Sequence, residues 1–121
     1  MGDLSLFKPW VEGVDGYGIG EKIFINYSNN KNITGFYLSN GFVSIEKPYL
    51  YEKNSRIKKI LVYNSTKSFQ KTFKVEDTPN IQFFDVPQTN ALIIEILDVY
   101  RGSLWEDTCI NFILPESDKY R

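Results

Sequence analysis

Ala91 to Val99 reads A-L-I-I-E-I-L-D-V and is the most hydrophobic run in the chain. It follows the turn-forming stretch Pro87 to Asn90 and precedes Arg101-Gly102. An apolar run of this length between turn signals is a strand, expected at the centre of a sheet. Similar short runs occur on both sides of it. Upstream they are Lys22 to Tyr27, Ile33 to Ser39, Phe42 to Ile45, Ile57 to Tyr63, Ser68 to Val75 and Ile81 to Val86. Downstream, Cys109 to Leu114 is expected to stop at Pro115. Asn40-Gly41, Asn64-Ser65-Thr66 and Pro79-Asn80 punctuate the runs. No stretch of twelve or more residues keeps a helical apolar period. About eight strands with short polar connections predict an all-β fold. The expected architecture is an antiparallel β-sandwich, a jelly roll.

The totals limit the function. A chain of 121 residues is expected to be a single domain with one core. A net charge of -1 argues against nucleic-acid binding, which needs a basic footprint. With no histidine, the commonest general base and metal ligand is missing. A single cysteine, Cys109, excludes an intrachain disulfide and is expected to be a buried small residue. No run is apolar enough for a transmembrane helix, so no membrane insertion is expected. Three sequons (Asn26, Asn32, Asn64) are expected by chance in an asparagine-rich chain. Met1-Gly2 has the look of a trimmed start, so the natural chain is expected to be longer.

Trp10 to Glu21 (W-V-E-G-V-D-G-Y-G-I-G-E) holds four of the eight glycines and feeds into the first strand. Glycines at alternate positions (Gly16, Gly18, Gly20) remove side-chain packing, so they mark a shaped loop. The segment precedes a strand instead of following one into a helix, which excludes a dinucleotide fingerprint.

Taken with four later pieces, this opening resembles the NADase-type glycan-binding domain, a discoidin-like, galactose-binding-like bacterial module. Those pieces are Ile33 to Gly41 (I-T-G-F-Y-L-S-N-G), Asn54 and Arg56 followed by I-K-K-I-L-V, Ile93 to Gly102 (I-I-E-I-L-D-V-Y-R-G), and Asp107 to Ile110 (D-T-C-I). The match runs from Trp10 to Ile113. The resemblance implies a jelly roll with a carbohydrate-binding or adhesive role, attached to extracellular or cell-envelope proteins. Two departures stand out. The related modules have an Asp-Gly segment ahead of the tryptophan, where this chain has Phe7-Lys8-Pro9. They also carry Glu after C-I-x, where it has Phe112. Both regions contribute to a calcium site in the relatives, and a hard cation needs six to eight oxygens, so no metal and no cofactor are expected here.

The candidate ligand-binding residues are Trp10, Glu12, Tyr49, Tyr51, Asn54, Arg56 and Trp105. Trp10 could stack on a pyranose or cap the end of the sandwich. Trp105 lies in the polar loop G-S-L-W-E-D before the last strand. Glu12, Asp15 and Glu21 could accept sugar hydroxyls or hold the glycine loop. Glu12 and Asp107 are expected to flank Arg56 in a semi-buried network. The insert Lys47 to Asn54 places Tyr49 and Tyr51 among polar residues on a loop, where binding sites sit on rigid sandwiches. Asn54 and Arg56 match the family's pattern, and each has a structural alternative. The expectation is a non-catalytic module with a glycan ligand, a monomeric part of a larger protein. The alternative is a protein-interaction or positioning domain attached to a catalytic or toxin domain. Glu12 and Asp107 as a hydrolytic pair form a third possibility, disfavoured by the absence of histidine.

Overall fold

The computed structural model describes residues 10–11, 18–26 and 32–117. They form β1 (Trp10–Val11), β2 (Lys22–Asn26), β3 (Ile33–Asn40), the helical turn α1 (Leu50–Lys53), β4 (Arg56–Asn64), β5 (Gln70–Lys74), β6 (Gln82–Thr89), β7 (Ala91–Tyr100) and β8 (Cys109–Ser117). Two four-stranded sheets result, ordered β1-β8-β3-β6 and β2-β7-β4-β5. All their ladders are antiparallel. Apart from the consecutive pair β4-β5, adjacent strands of one sheet come from distant parts of the chain, as the crossing connections of a jelly roll require. The expected all-β jelly roll is therefore the fold. No described helix is long and apolar enough to cross a membrane.

The apolar run that opens the sequence is an interior strand. β7 lies between β2 and β4, with Leu92, Ile94 and Ile96 buried on the inner face. Phe36 and Leu38 of β3 and Ile110 and Ile113 of β8 face them from the other sheet. Phe36 stacks on Phe84 with ring centroids 5.1 Å apart, and Phe73 meets Phe84 edge-on at 5.1 Å. Each fully buried aliphatic or aromatic side chain contributes about 1.5–3 kcal/mol.

Four sequence expectations change. Phe42 to Ile45 is not a strand, because the chain leaves the sheet at Gly41 and Ile45 is almost wholly exposed. β6 continues through Pro87 to Thr89. Pro87 lies on an edge strand, within a register shift opposite β3, where a missing N–H is tolerated. β8 likewise passes Pro115. Among the described residues β1 pairs only with Cys109 and Ile110, so Pro115 lies where the outer side of β8 has no strand beside it. Finally, Trp10–Val11 pairs as a short strand, where the sequence reads as loop.

Asn40 joins the sheets. Its side chain is fully buried, donates to the Ile57 carbonyl at 2.8 Å and accepts the Ile57 N–H at 3.0 Å. It thus acts as one extra backbone partner between β3 of one sheet and β4 of the other. Asn40→Leu keeps the volume and leaves both Ile57 groups without a partner. We expect a loss of about 2–4 kcal/mol in urea unfolding; an unchanged midpoint would show that the link carries no stability.

Candidate functional site

The loops that follow β3, β5 and β7 gather at the end of the sandwich where β4 and β8 begin. Gly41, at φ +83°, turns the chain out of β3 while its N–H donates to the Cys109 carbonyl at 3.1 Å. A Cβ here would lie 2.5 Å from the Tyr51 ring, so glycine is required twice over.

The single turn of α1 cannot satisfy its own last carbonyls. The connection between β7 and β8 does this for it. Ser103 donates to the Glu52 carbonyl at 3.0 Å, and Leu104 and Trp105 donate to the Lys53 carbonyl at 3.1 and 2.9 Å. This seating brings backbone against backbone at Gly102, where a Cβ would collide with the Lys53 carbonyl oxygen. Ser55, fully buried, locks the third segment. Its N–H donates to the Asp107 carbonyl at 2.9 Å, its carbonyl accepts the Cys109 N–H at 3.0 Å, and its Oγ accepts the Gly102 N–H at 3.0 Å.

Arg56 holds the base of these loops. Its Nε and Nη2 bind the two oxygens of Asp77 at 3.1 and 2.9 Å. Its Nη1 reaches the carbonyls of Tyr51, Glu52 and Asn54 at 3.4, 3.1 and 3.0 Å. The Tyr51 hydroxyl donates to Asp77 at 2.8 Å, and the guanidinium lies 4.9 Å from the Tyr51 ring centroid. Partial burial alone would raise the Asp77 pKa. The hydrogen bonds from Arg56 and Tyr51, together with the guanidinium charge, outweigh it and hold the carboxyl below its ordinary value. Burial, then the bond to Asp77, pushes the Tyr51 phenol up. Asn54 is buried, its amide donating to the Leu50 carbonyl at 3.0 Å.

The candidates therefore separate. Tyr51, Asn54 and Arg56 are brought together, but as the fastening of the loops. Tyr49, half exposed, and Trp105, at 43%, face outward. Leu104, at 59%, joins them as a residue that sequence reasoning did not single out. Its signal was its place beside Trp105 in a polar loop. Phe42, Leu50, Asn54, Trp105, Asp107 and Cys109 line a shallow pocket of about 280 Å³. Trp10 pairs through its backbone with Ile110; its side chain, Glu12, Asp15 and Gly16 lie outside the described residues. The carboxylate on Arg56 is Asp77, not Asp107. Asp107 is exposed and meets Ser55 through its backbone carbonyl. Among the described residues no three His, Cys, Asp or Glu side chains gather to hold a metal.

A jelly roll with firmly tied loops and aromatics at one end is a discoidin-like β-sandwich. The chain belongs to the NAD glycohydrolase translocation F5/8 type C domain family, whose model matches residues 1–114. Among solved structures it is similar to the NMR structure of the Streptococcus pyogenes NAD+-glycohydrolase translocation domain. The TM-score is 0.62 at 21% identity, over 93% of this chain and 98% of that chain. At that identity the likeness concerns the fold. No curated protein matches the chain. Both descriptions speak of translocation and neither of a glycan, so they favour the positioning alternative over carbohydrate binding.

Two outcomes follow for the loop end. Gly102→Ala forces α1 and the Trp105 loop apart, and we expect a loss of about 2–3 kcal/mol by thermal unfolding, with Trp105 emission shifted toward that of free indole. Asp77 tests the ion pair through pH. Its folded pKa is depressed, so its contribution is complete above the ordinary carboxylate value and lost as pH falls through the folded one. The stability gap between the parent and Asp77→Asn should be widest near neutral pH and close below about pH 4. A gap that stays constant down to pH 2 would exclude this role.

Proposed function

We propose that this chain is a non-catalytic docking module, attached in its natural protein to a catalytic or toxin domain. It positions that domain for delivery across a membrane, outside the cell that makes it. The observation that carries the reading is the division of labour at the loop end. Arg56, Asp77, Tyr51 and Asn54 satisfy one another and the backbone. Tyr49, Leu104 and Trp105 remain exposed on the frame that results. Exposed aromatic and aliphatic side chains on a rigid support are what a protein interface uses as anchors, because little conformational entropy is lost when they are covered. Membership of a translocation-domain family supports the delivery role.

A second reading rests on the pocket. Trp105, Asn54 and Asp107 are among the residues that line it, and these residue types suit a sugar ring with its hydroxyls. Such a shallow site would bind weakly alone and act by avidity.

The test is Tyr49→Ala, Leu104→Ala and Trp105→Ala combined in the full-length natural protein. Catalysis measured in solution should stay at the parent value while delivery into target cells falls by about tenfold or more. Unchanged delivery would remove this face from the mechanism. Titration with monosaccharides to millimolar concentration, followed by Trp105 fluorescence, separates the readings: quenching that disappears in Asp107→Ala supports the sugar site.

A further inference from the structure

A second surface lies away from these aromatics. The stretch 57–75, which contains β4 after its first residue, all of β5 and the turn between them, carries Lys58, Lys59, Lys67, Lys71 and Lys74 and no acidic residue. The whole chain has a net charge of -1, so basic charge is concentrated here and the remainder is acidic. All five lysines are exposed. None makes an ion pair among the described residues, where the ion pair present is Arg56–Asp77.

Aromatic rings, not carboxylates, hold three of these ammoniums. Lys58 lies 5.6 Å from the Tyr100 ring centroid, Lys67 5.6 Å from Tyr63, and Lys71 4.9 Å from Phe73. A ring restrains an ammonium without neutralising it, so the charges stay available to an outside anion. Lys67 provides a separate sign. It is the non-glycine residue with positive φ, at 59°, among the described residues. Glycine or asparagine would fit that turn position at lower cost. The turn geometry therefore does not call for a lysine at this position, which leaves its charge as what the residue adds.

Among the described residues β5 is also the terminal strand of its sheet, and no described strand lies beside the outer side of Gln70–Lys74. Five residues of free edge offer about 16 Å of backbone donors and acceptors. Lysines on such an edge deter pairing with a second copy, because like charges would meet, and they favour a strand of opposite charge. The large exposed apolar side chains all lie outside 57–75, so nothing on this hairpin is shaped to enter a lipid layer.

We infer that the edge of β5 is a docking strand for an extended acidic polypeptide segment, which joins the sheet as a further strand with its carboxylates against Lys67, Lys71 and Lys74. Backbone pairing supplies the geometry, and the lysines select the charge. The occupant is a protein segment rather than a membrane or nucleic acid, because a free strand edge has a use only for another backbone.

The experiment uses the 121-residue chain and a fluorescent peptide of Glu-Glu-Val-Val repeats, which presents carboxylates on both faces of an extended strand, as Lys71 and Lys74 on opposite faces of β5 require. Controls are the same peptide with Lys for Glu, one with two internal Val replaced by Pro, phosphatidylserine vesicles, and duplex DNA. The acidic peptide should bind, weaken as salt rises, and shift the amide resonances of Gln70–Lys74. The proline peptide, with equal charge but unable to pair, should bind about tenfold more weakly. Lys71→Glu with Lys74→Glu should reduce affinity by about tenfold at unchanged thermal stability. Lys67→Gly should raise thermal stability and still weaken the peptide, which a merely structural lysine would not do. The inference is overturned if the acidic peptide fails to bind at low salt, or if the proline peptide binds equally well. It is also overturned if vesicles or DNA bind and the acidic peptide does not.

Discussion

The guanidinium of Arg56 is the group on which the loop end depends. Its burial requires a counter-charge and a partner for every N–H, or the loss on desolvation would exceed any gain. Asp77 supplies the charge through two parallel hydrogen bonds from Nε and Nη2, and the carbonyls of Tyr51, Glu52 and Asn54 surround Nη1. Those partners come from three places in the chain: the α1 turn, the start of β4 and the connection after β5. One planar side chain therefore sets the positions of segments that no strand pairing would bring into register. A lysine could not do this, because a single ammonium has neither the fork nor the reach. Ser55 and Gly102 then dock the Trp105 loop on the assembled turn. The backbone that carries the exposed aromatics is thus tied, segment by segment, to the buried charge beneath it.

Most of the fold was legible in the sequence because burial of one sheet face imposes a period of two. Leu92, Ile94 and Ile96 alternate along β7, and Ile60 and Val62 along β4. Errors came where local chemistry and tertiary position disagree. Proline reads as a strand terminator, yet Pro87 and Pro115 lie inside strands, at places where no described strand is paired on one side and a missing N–H donor is tolerated. Whether a strand is an edge is a property of the assembled sheet and cannot be seen locally. Phe42 to Ile45 is apolar enough for a strand, but Gly41 turns the chain out of the sheet beside Asn40, whose side chain is tied to Ile57 of the other sheet.

The candidate site was legible in part and for a similar reason. Tyr49 and Trp105 stand out as aromatics among polar loop residues, and they are exposed. Tyr51, two positions from Tyr49, has the same surroundings in sequence, but its ring covers Gly41 and its hydroxyl serves Asp77. Nothing in a string of residues tells these two tyrosines apart. The partner of Arg56 was equally hidden. Asp77 lies twenty-one residues away in a connection rich in turn formers, and only the antiparallel return of β5 beside β4 carries it back to the guanidinium. The lysines of 57–75 were visible one by one. Their meaning as an array needed the sheet order that leaves β5 at the edge.

The Arg56–Asp77 pair also connects the two outward-facing surfaces. Asp77 lies three residues beyond Lys74, the last residue of β5, and Val75 between them is fully buried with its N–H on the Lys58 carbonyl. Tyr100 closes the same corner, its hydroxyl donating to the Val75 carbonyl at 2.8 Å while its ring lies under Lys58. The end of the basic edge and the floor of the aromatic end are thus anchored to one corner. A segment added along β5 meets a strand whose end is fixed by the group that fixes the Trp105 loop. Two partners, one acidic and extended, one covering Tyr49, Leu104 and Trp105, would be held at a set distance and angle. For the positioning role proposed above, that fixed corner is the useful property, and it follows from burying a single arginine.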